Sequence, residues 1–289
     1  MSEDASVTIN APRMTATREP LFRLTPRRRW YDLELKEIVD RRDLLWLLIL
    51  KRIRLKYRQT LLGVLWTIIQ PLAPMLVFSL VFTNFFSGSI GTMAYPVFVL
   101  AGLVPWLYFS NAVNAGGDSL TSQSHLLGRV YFPRFMLPLS VVLSGVPDLL
   151  IGCAVLSIVL MVAGMSIYST LLWVPLLLLL LIWLALSIGA LFASLTIVYR
   201  DIRNIVPYFL QLLLFLTPIV YPPEAIPEKW SWLIKINPLT GIINSFRAVL
   251  LGESPIWSDI AASVAITSVI CLFAVMTFVK MERHVADYL

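Results

Sequence analysis

The sequence predicts an all-α integral membrane protein with six transmembrane helices, an amphipathic interface helix before the first, and a re-entrant or interfacial helix pair between the fifth and sixth. Three observations carry that expectation. Of 289 residues, 58% are hydrophobic and 14% charged, with a mean hydropathy of +0.80, too little polar surface to cover a soluble globule of this size. Six apolar runs approach the ~20 residues needed to cross ~30 Å of hydrocarbon at ~1.5 Å per residue. The net charge of +6 sits wholly in residues 1–60, which hold fourteen Lys/Arg against eight Asp/Glu, whereas residues 61–289 hold nine of each.

Residues 1–40 read as a cytoplasmic tail, disordered at its start: Pro12, Pro20, Pro26 and scattered arginines interrupt any apolar core, so no signal peptide is expected. Residues 41–60 read as the interface helix. At 100° per residue, Trp46, Ile49, Leu50, Ile53 and Tyr57 share a stripe, Lys51, Arg54 and Arg58 oppose it, and Arg52 and Lys56 flank it. Such a helix lies on the cytoplasmic membrane face, its cations meeting anionic lipid heads. The same cations could meet a phosphorylated substrate or a partner subunit. Clustered charge of this kind can also bind nucleic acid, but its place beside a hydrophobic body argues against that.

The spans follow as Leu61 to Phe86, Pro96 to Asn114, Leu137 to Gly164, Leu171 to Val198, Ile205 to Tyr221 and Trp257 to Val279, a membrane domain over residues 61–280. With both termini cytoplasmic, twenty of the twenty-three basic residues fall inside, as the positive-inside rule requires. Residues 281–289 form a cytoplasmic tail.

Between spans two and three, residues 121–134 ("TSQSHLLGRVYFPR") combine basic residues with Leu126, Leu127, Val130, Tyr131 and Phe132, enough apolar content for a short helix that docks a partner. Between spans five and six, Pro222 to Pro255 is too long for a simple connection. Within it "EKWSWLIKI" forms a first arm, Asn237-Pro238 the bend, and "PLTGIINSFRAVLLG" a second arm with Thr240, Asn244 and Arg247 on one face.

Chemistry-bearing residues are sparse. No Gly-Lys pair exists to build a phosphate-cradling loop. His125 and His284 stand in separate segments without zinc-site spacing, and Cys153 and Cys271 lie in apolar runs as inert thiols. No metal site is expected. Asp148, in the third span, either lines a polar pathway or hydrogen-bonds backbone freed by Pro147. Aromatic residues at span ends, Trp106, Tyr108, Phe109, Trp173, Trp230, Trp232 and Trp257, suit an interfacial belt and would equally suit stacking on sugar rings.

Six stretches occur in a fixed order: "LKYRQTLLGVLWTIIQPL", the connector, "LPLSVVLSGVPDLLIG", "YRDIRN", "TPIVYPPEAIP" and "INPLTGIINSFRAVLLG". Together, from about Arg41 onward, they resemble the ABC-2 type permeases that export polysaccharides, those for lipid-linked O antigen and teichoic acid above all. The resemblance implies a type V exporter-like fold and a transport subunit rather than an enzyme. It implies a homodimer in the bacterial inner membrane, joined by two copies of an ATP-binding subunit that supplies ATP and Mg, with no cofactor on this chain. The substrate implied is an undecaprenyl pyrophosphate-linked glycan.

Carried onto this sequence, the connector becomes a coupling helix, with Ser124, His125, Leu126, Leu127, Gly128 and Arg129 meeting the ATP-binding subunit. Residues 228–251 become re-entrant gate helices. Trp66, Trp106, Tyr108, Phe109, Asp148, Asn244 and Arg247 line the substrate pathway, and Lys51, Arg52, Arg54, Lys56 and Arg58 face lipid heads. Export of a drug or small lipid by the same kind of permease is an alternative. A membrane-embedded glycosyl or acyl transferase is another, but it would need clustered carboxylates or histidines. An ion-coupled carrier would need more ionisable groups within the spans than Asp148.

Overall fold

A computed structural model of the chain describes residues 35–58, 63–86, 93–123, 132–165 and 168–282, and every regular element among them is helical. The elements are α1 (Leu35–Asp40), α2 (Arg42–Tyr57), α3 (Leu65–Phe86), α4 (Tyr95–Gly117), α5 (Met136–Ser144), α6 (Val146–Val162), α7 (Val174–Val198), α8 (Ile202–Leu216), α9 (Ser231–Ile236), α10 (Pro238–Leu250) and α11 (Trp257–Glu282). The coupling candidates Ser124, His125, Leu126, Leu127, Gly128 and Arg129 lie outside the described residues, as do the N-terminal tail to residue 34 and residues 283–289.

Five stretches among the described residues are long and apolar enough to cross a membrane: α3, α4, α5 with α6, α7 with the short turn Ser169–Trp173 before it, and α11. The protein is an integral membrane protein. The fifth expected span, drawn to Tyr221, is cut short. Helix α8 has 15 residues, ~22 Å at ~1.5 Å each, and ends because Thr217 precedes Pro218. That ring forces its neighbour out of the helical region, and Thr217 is extended at φ −91°, ψ 131°.

The third expected span is one stretch in two pieces. Pro147 has no N–H to donate, and the N–H of Gly145 bonds Val142 O, three residues back, at 3.2 Å. The break falls beside Asp148.

Helix α4 is the axis. Of its most apolar window 78% is buried, against 17% for α3 and 28% for α11, and it packs on α3, α6, α7 and α10. Its approach to α7 is close because two glycines meet there: a Cβ on Gly116 would lie 3.2 Å from Gly189 Cα, the small-residue contact by which membrane helices pack. The outer helices turn apolar side chains outward, among them Leu80 and Phe85 of α3, Leu212 and Phe215 of α8 and Phe273 of α11. That is the reverse of a soluble protein and the surface a bilayer covers.

The two ends of the bundle differ. At one, Leu48 of α2, Leu120, Met136 and Leu137 of α5, Ala193 of α7 and Phe278 of α11 form a second apolar cluster. At the other, Asn237 forms the expected bend: its side chain accepts from Leu239 N at 3.1 Å, capping α10, and its Nδ2 donates to Thr217 Oγ1 at 2.8 Å.

Helix α2 packs by part of the expected stripe. Its packed face is Leu48 and Ile49 with half-buried Leu45, Arg52 and Ile53, turned toward α5, while Trp46 and Leu47 are exposed. Apolar residues surround the half from Leu44 to Leu50, and the cations occupy the half from Lys51 to Arg58. The helix is divided along its length as well as across it: Ile49 and Ile53 of the expected stripe pack on the bundle, and Trp46 stays on the surface.

Candidate functional site

Where α2 ends, its basic half meets the break in the third span and the start of α3. Between them and α4 lies a cleft of about 660 Å³. Helix α2 contributes Arg52 and Lys56, α3 contributes Trp66, Thr67 and Gln70, α4 contributes Tyr108, Asn111 and Asn114, and the third span contributes Ser144 and Asp148. Three expected pathway residues, Trp66, Tyr108 and Asp148, thus share one cavity with two cations expected at the lipid heads.

Asp148 is the hub. Lys56 Nζ is paired with one carboxylate oxygen, Tyr57 OH donates to the other, and Thr67 Oγ1 donates to that same oxygen at 3.3 Å. These donors come from the end of α2 and the start of α3, so one carboxylate ties both to the third span. Asp148 does line a polar space, but its partners are distant side chains and not the backbone freed by Pro147. Burial, then the bond to Asp148, raises Tyr57 above its ordinary pKa, so a phenol already protonated at neutral pH stays a donor further into alkali.

Arg52 stands on the opposite side of the requirement. Its Nε is buried without a hydrogen-bond partner, and burial lowers its pKa from the ordinary value. A guanidinium remains charged at neutral pH all the same. A buried donor without an acceptor is costly, and this one belongs to a residue of the cleft lining. The cleft therefore offers one committed cation, Lys56, and one with donor capacity to spare. Lys51, Arg54 and Arg58 are exposed around the outside of α2.

The aromatic expectations divide. Trp66 is 54% exposed at the cleft, where a flat apolar face is available. Tyr108 is buried in its wall, its OH donating to Val142 O at 3.1 Å. Trp106 and Phe109 are corrections: both are interior, Phe109 at 0% exposure, and their rings pack together at 5.9 Å. Neither side chain faces a path or a lipid belt, because both belong to the packed core around α4 and not to the face that it turns to the cleft. Trp173, Trp230, Trp232 and Trp257 are exposed toward the hairpin end, and Trp173 and Trp257 meet edge to face at 5.0 Å.

Arg247 is the second correction. The polar stripe on α10 does not face an open path, because Thr240 and Arg247 are each 5% exposed and only Asn244 is half-buried. The guanidinium donates to Phe98 O at 3.2 Å, Pro218 O at 2.6 Å and Ile219 O at 2.7 Å, and it lies 3.6 Å from the Phe98 ring centre. It pins α10 to α4 and to the unwound chain after α8.

Sequence reasoning passed over Gln70, Asn111 and Asn114. The signal was present, since Asn111 and Asn114 are three apart in an apolar span and so share a helical face.

Comparison with known proteins identifies the family. The O-antigen export system permease protein RfbA of Myxococcus xanthus is 28% identical over 251 residues, covering 86% of this chain and 96% of that protein. The protein of the same name from Klebsiella pneumoniae is 27% identical over 248 residues, covering 86% and 95%. The polysialic acid transport protein KpsM of Escherichia coli is 27% identical over 215 residues, covering 71% and 80%. The sequence profile of the ABC-2 type transporter matches residues 43–251, from the first turn of α2 through the cleft helices to the end of α10. A match of that extent makes the chain a member of the ABC-2 type transporter family, a membrane transport subunit and not an enzyme.

Proposed function

We propose that this chain is the permease subunit of an ATP-driven exporter that moves a lipid-linked polysaccharide across the cytoplasmic membrane, and that the cleft receives the anionic head of the lipid carrier. The observation that carries this reading is the meeting of Arg52, Lys56, Trp66 and Tyr108 in one cavity at the basic end of the bundle. A pyrophosphate asks for cations with donor capacity, and a sugar next to it asks for a flat apolar surface. The names of the three relatives support a polysaccharide cargo.

The rest of the arrangement is part of the same proposal. A separate ATP-binding subunit supplies ATP and Mg and engages residues 121–134. Two permease copies close a path between them, their exposed apolar helix faces meeting lipid or each other, and the hairpin of α9 and α10 forms the outer gate. Both termini are cytoplasmic, which places the basic end of the bundle beside the anionic inner leaflet.

Deleting the gene and analysing cell-surface glycan together with lipid-linked intermediates tests the proposal. Build-up of long lipid-linked glycan inside the cell, restored to export by the wild-type gene but not by Arg52→Gln with Lys56→Gln, is the expected result. An unchanged surface glycan and no accumulation would sink it. The purified permease by itself should hydrolyse no ATP, and hydrolysis without a second polypeptide would remove the separate subunit from the scheme.

A further inference from the structure

The cleft contains a carboxylate at the place where the proposed function needs an anion. Asp148 pairs with Lys56 through one carboxylate oxygen, with the Lys56 side chain 45% exposed and that of Asp148 17%. Neither group is sealed in the interior, so the pair can exchange partners at less cost than a fully buried one. Arg52, in the same cleft, keeps an unpartnered Nε. Asp148 would not be stranded by losing Lys56, because Tyr57 and Thr67 also donate to it.

We infer that Asp148 is a built-in stand-in for the substrate's anionic head: in the empty cleft it holds Lys56, and an arriving diphosphate takes Lys56 over and pairs with the Arg52 guanidinium in the cleft wall. This rests on the proposed function of the cleft and adds a switch to it. Lys56 is one residue from the end of α2, so releasing it from Asp148 removes one of the two side-chain ties, Lys56 and Tyr57, that α2 makes to that carboxylate. Tyr57 and Thr67 stay with the carboxylate. The head thereby changes the hold on the wall of its own cleft, a differential interaction of the kind that a ligand-driven change requires.

Asp148 serves two ends under this scheme. It keeps Lys56 from binding arbitrary anions when no substrate is present, and its charge repels the bound head enough to let it leave. A carboxylate a few ångströms from a phosphate raises its dissociation rate by simple Coulomb repulsion, and transport requires release as much as capture.

The test uses the permease with its ATP-binding subunit in nanodiscs, with farnesyl pyrophosphate as the probe, farnesol as the uncharged control and inorganic pyrophosphate as the soluble one. Asp148→Asn should bind farnesyl pyrophosphate about tenfold tighter while its transport turnover falls. Lys56→Gln should bind it about tenfold more weakly. Equal or weaker binding by Asp148→Asn, with Lys56→Gln weakened, overturns the stand-in but leaves the cleft as the head's site. Unchanged binding by both Lys56→Gln and Arg52→Gln overturns the site itself.

Should Asp148→Asn fail to fold, Tyr57→Phe carries the test. Removing the phenol leaves the carboxylate more dependent on Lys56, so the probe should bind about threefold more weakly, and unchanged or tighter binding overturns the inference. Farnesol should not bind at the cleft. Inorganic pyrophosphate should compete only weakly, and competition equal to that of the lipid form would reassign the site to a soluble phosphate and overturn the lipid-head assignment.

Discussion

Replacing Arg247 by methionine removes a guanidinium that satisfies three carbonyls from two separate segments. Phe98 lies inside α4, where its carbonyl belongs to the helix ladder, so the loss there is small. Pro218 and Ile219 are buried in the unwound chain, and an orphaned buried carbonyl costs ~1–3 kcal/mol. The stacking on Phe98 adds ~1 kcal/mol. Against these stands the relief of no longer burying a charge, several kcal/mol before its hydrogen bonds are counted. The two orphaned carbonyls and the lost stacking come to ~3–7 kcal/mol, that relief offsets part of them, and the net is a destabilisation on the order of 1–3 kcal/mol, ~2–12 °C in the unfolding temperature at ~2–4 °C per kcal/mol.

Thermal unfolding of the purified protein, followed by tryptophan fluorescence and by retention of a monodisperse chromatographic peak, measures the shift. Arg247→Lys separates geometry from charge: one ammonium cannot replace a planar fork that reaches acceptors in different directions, so lysine should do little better than methionine. Gly102 adds a cross-check. A Cβ there would lie 2.6 Å from Arg247 Nη2, so Gly102→Ala should destabilise wild type more than it destabilises Arg247→Met. A wild-type unfolding temperature in Arg247→Lys, or strict additivity of the pair, would refute the pin.

Three further outcomes follow from the packing. Gly116→Val should separate α4 from α7 and cost ~1–3 kcal/mol, whereas Gly189→Ala, whose Cβ would sit at an ordinary 3.6 Å from Gly116 Cα, should shift unfolding by no more than about 2 °C. Gly241→Ala would place a Cβ 2.4 Å from Ser263 Oγ and 2.6 Å from Asp259 O, so it should disrupt the bond from Ser263 to Pro238 O and lower the unfolding temperature measurably. Arg203 joins Asp118 across the ends of α8 and α4 at 2.6 Å, but both side chains are well exposed, so Arg203→Gln should change stability by less than ~1 kcal/mol. A larger loss in a thermal melt would mean the pair is shielded in the folded protein.

What the sequence disclosed and what it concealed have one physical cause. Water separates polar from apolar faces, so a helix in a soluble protein reports its buried side by its pattern. A bilayer does not, since lipid tails are as apolar as a protein interior. Leu80 of α3 is 85% exposed and Leu100 of α4 is 0% exposed, and nothing in their local sequence tells them apart. The apolar runs therefore marked where helices cross, and Asn237-Pro238 marked the bend, but the central place of α4 was hidden, and with it the burial of Trp106 and Phe109. Arg247 was misread for the complementary reason. An arginine beside a membrane suggests water or a pathway, and only the unwound carbonyls after Thr217 give it an interior use. The pairing of Lys56 with Asp148 spans 92 positions, beyond the reach of any periodicity.

The same arrangement decides which wall of the cleft can move. Helix α4 gives Asn111 and Asn114 to the cleft and, near its other end, the Phe98 carbonyl to Arg247, and it is packed along most of its length. Displacing it would break the Gly116–Gly189 approach and the Arg247 pin together, several kcal/mol by the figures above. Helices α2 and α3 are held on their cleft side by partly exposed groups around Asp148, and most of α3 already faces outward. Loosening those groups costs about what one solvent-accessible ion pair and its hydrogen bonds contribute, ~1–2 kcal/mol. Widening of the cleft therefore falls to the end of α2 and the start of α3 moving away from a fixed α4, while the rest of α3 stays packed on α4 through Met75 and Phe86. A spin-label pair between the start of α3 and α4 should lengthen under turnover while one between α4 and α7 stays constant, and the reverse pattern would make α4 the moving wall.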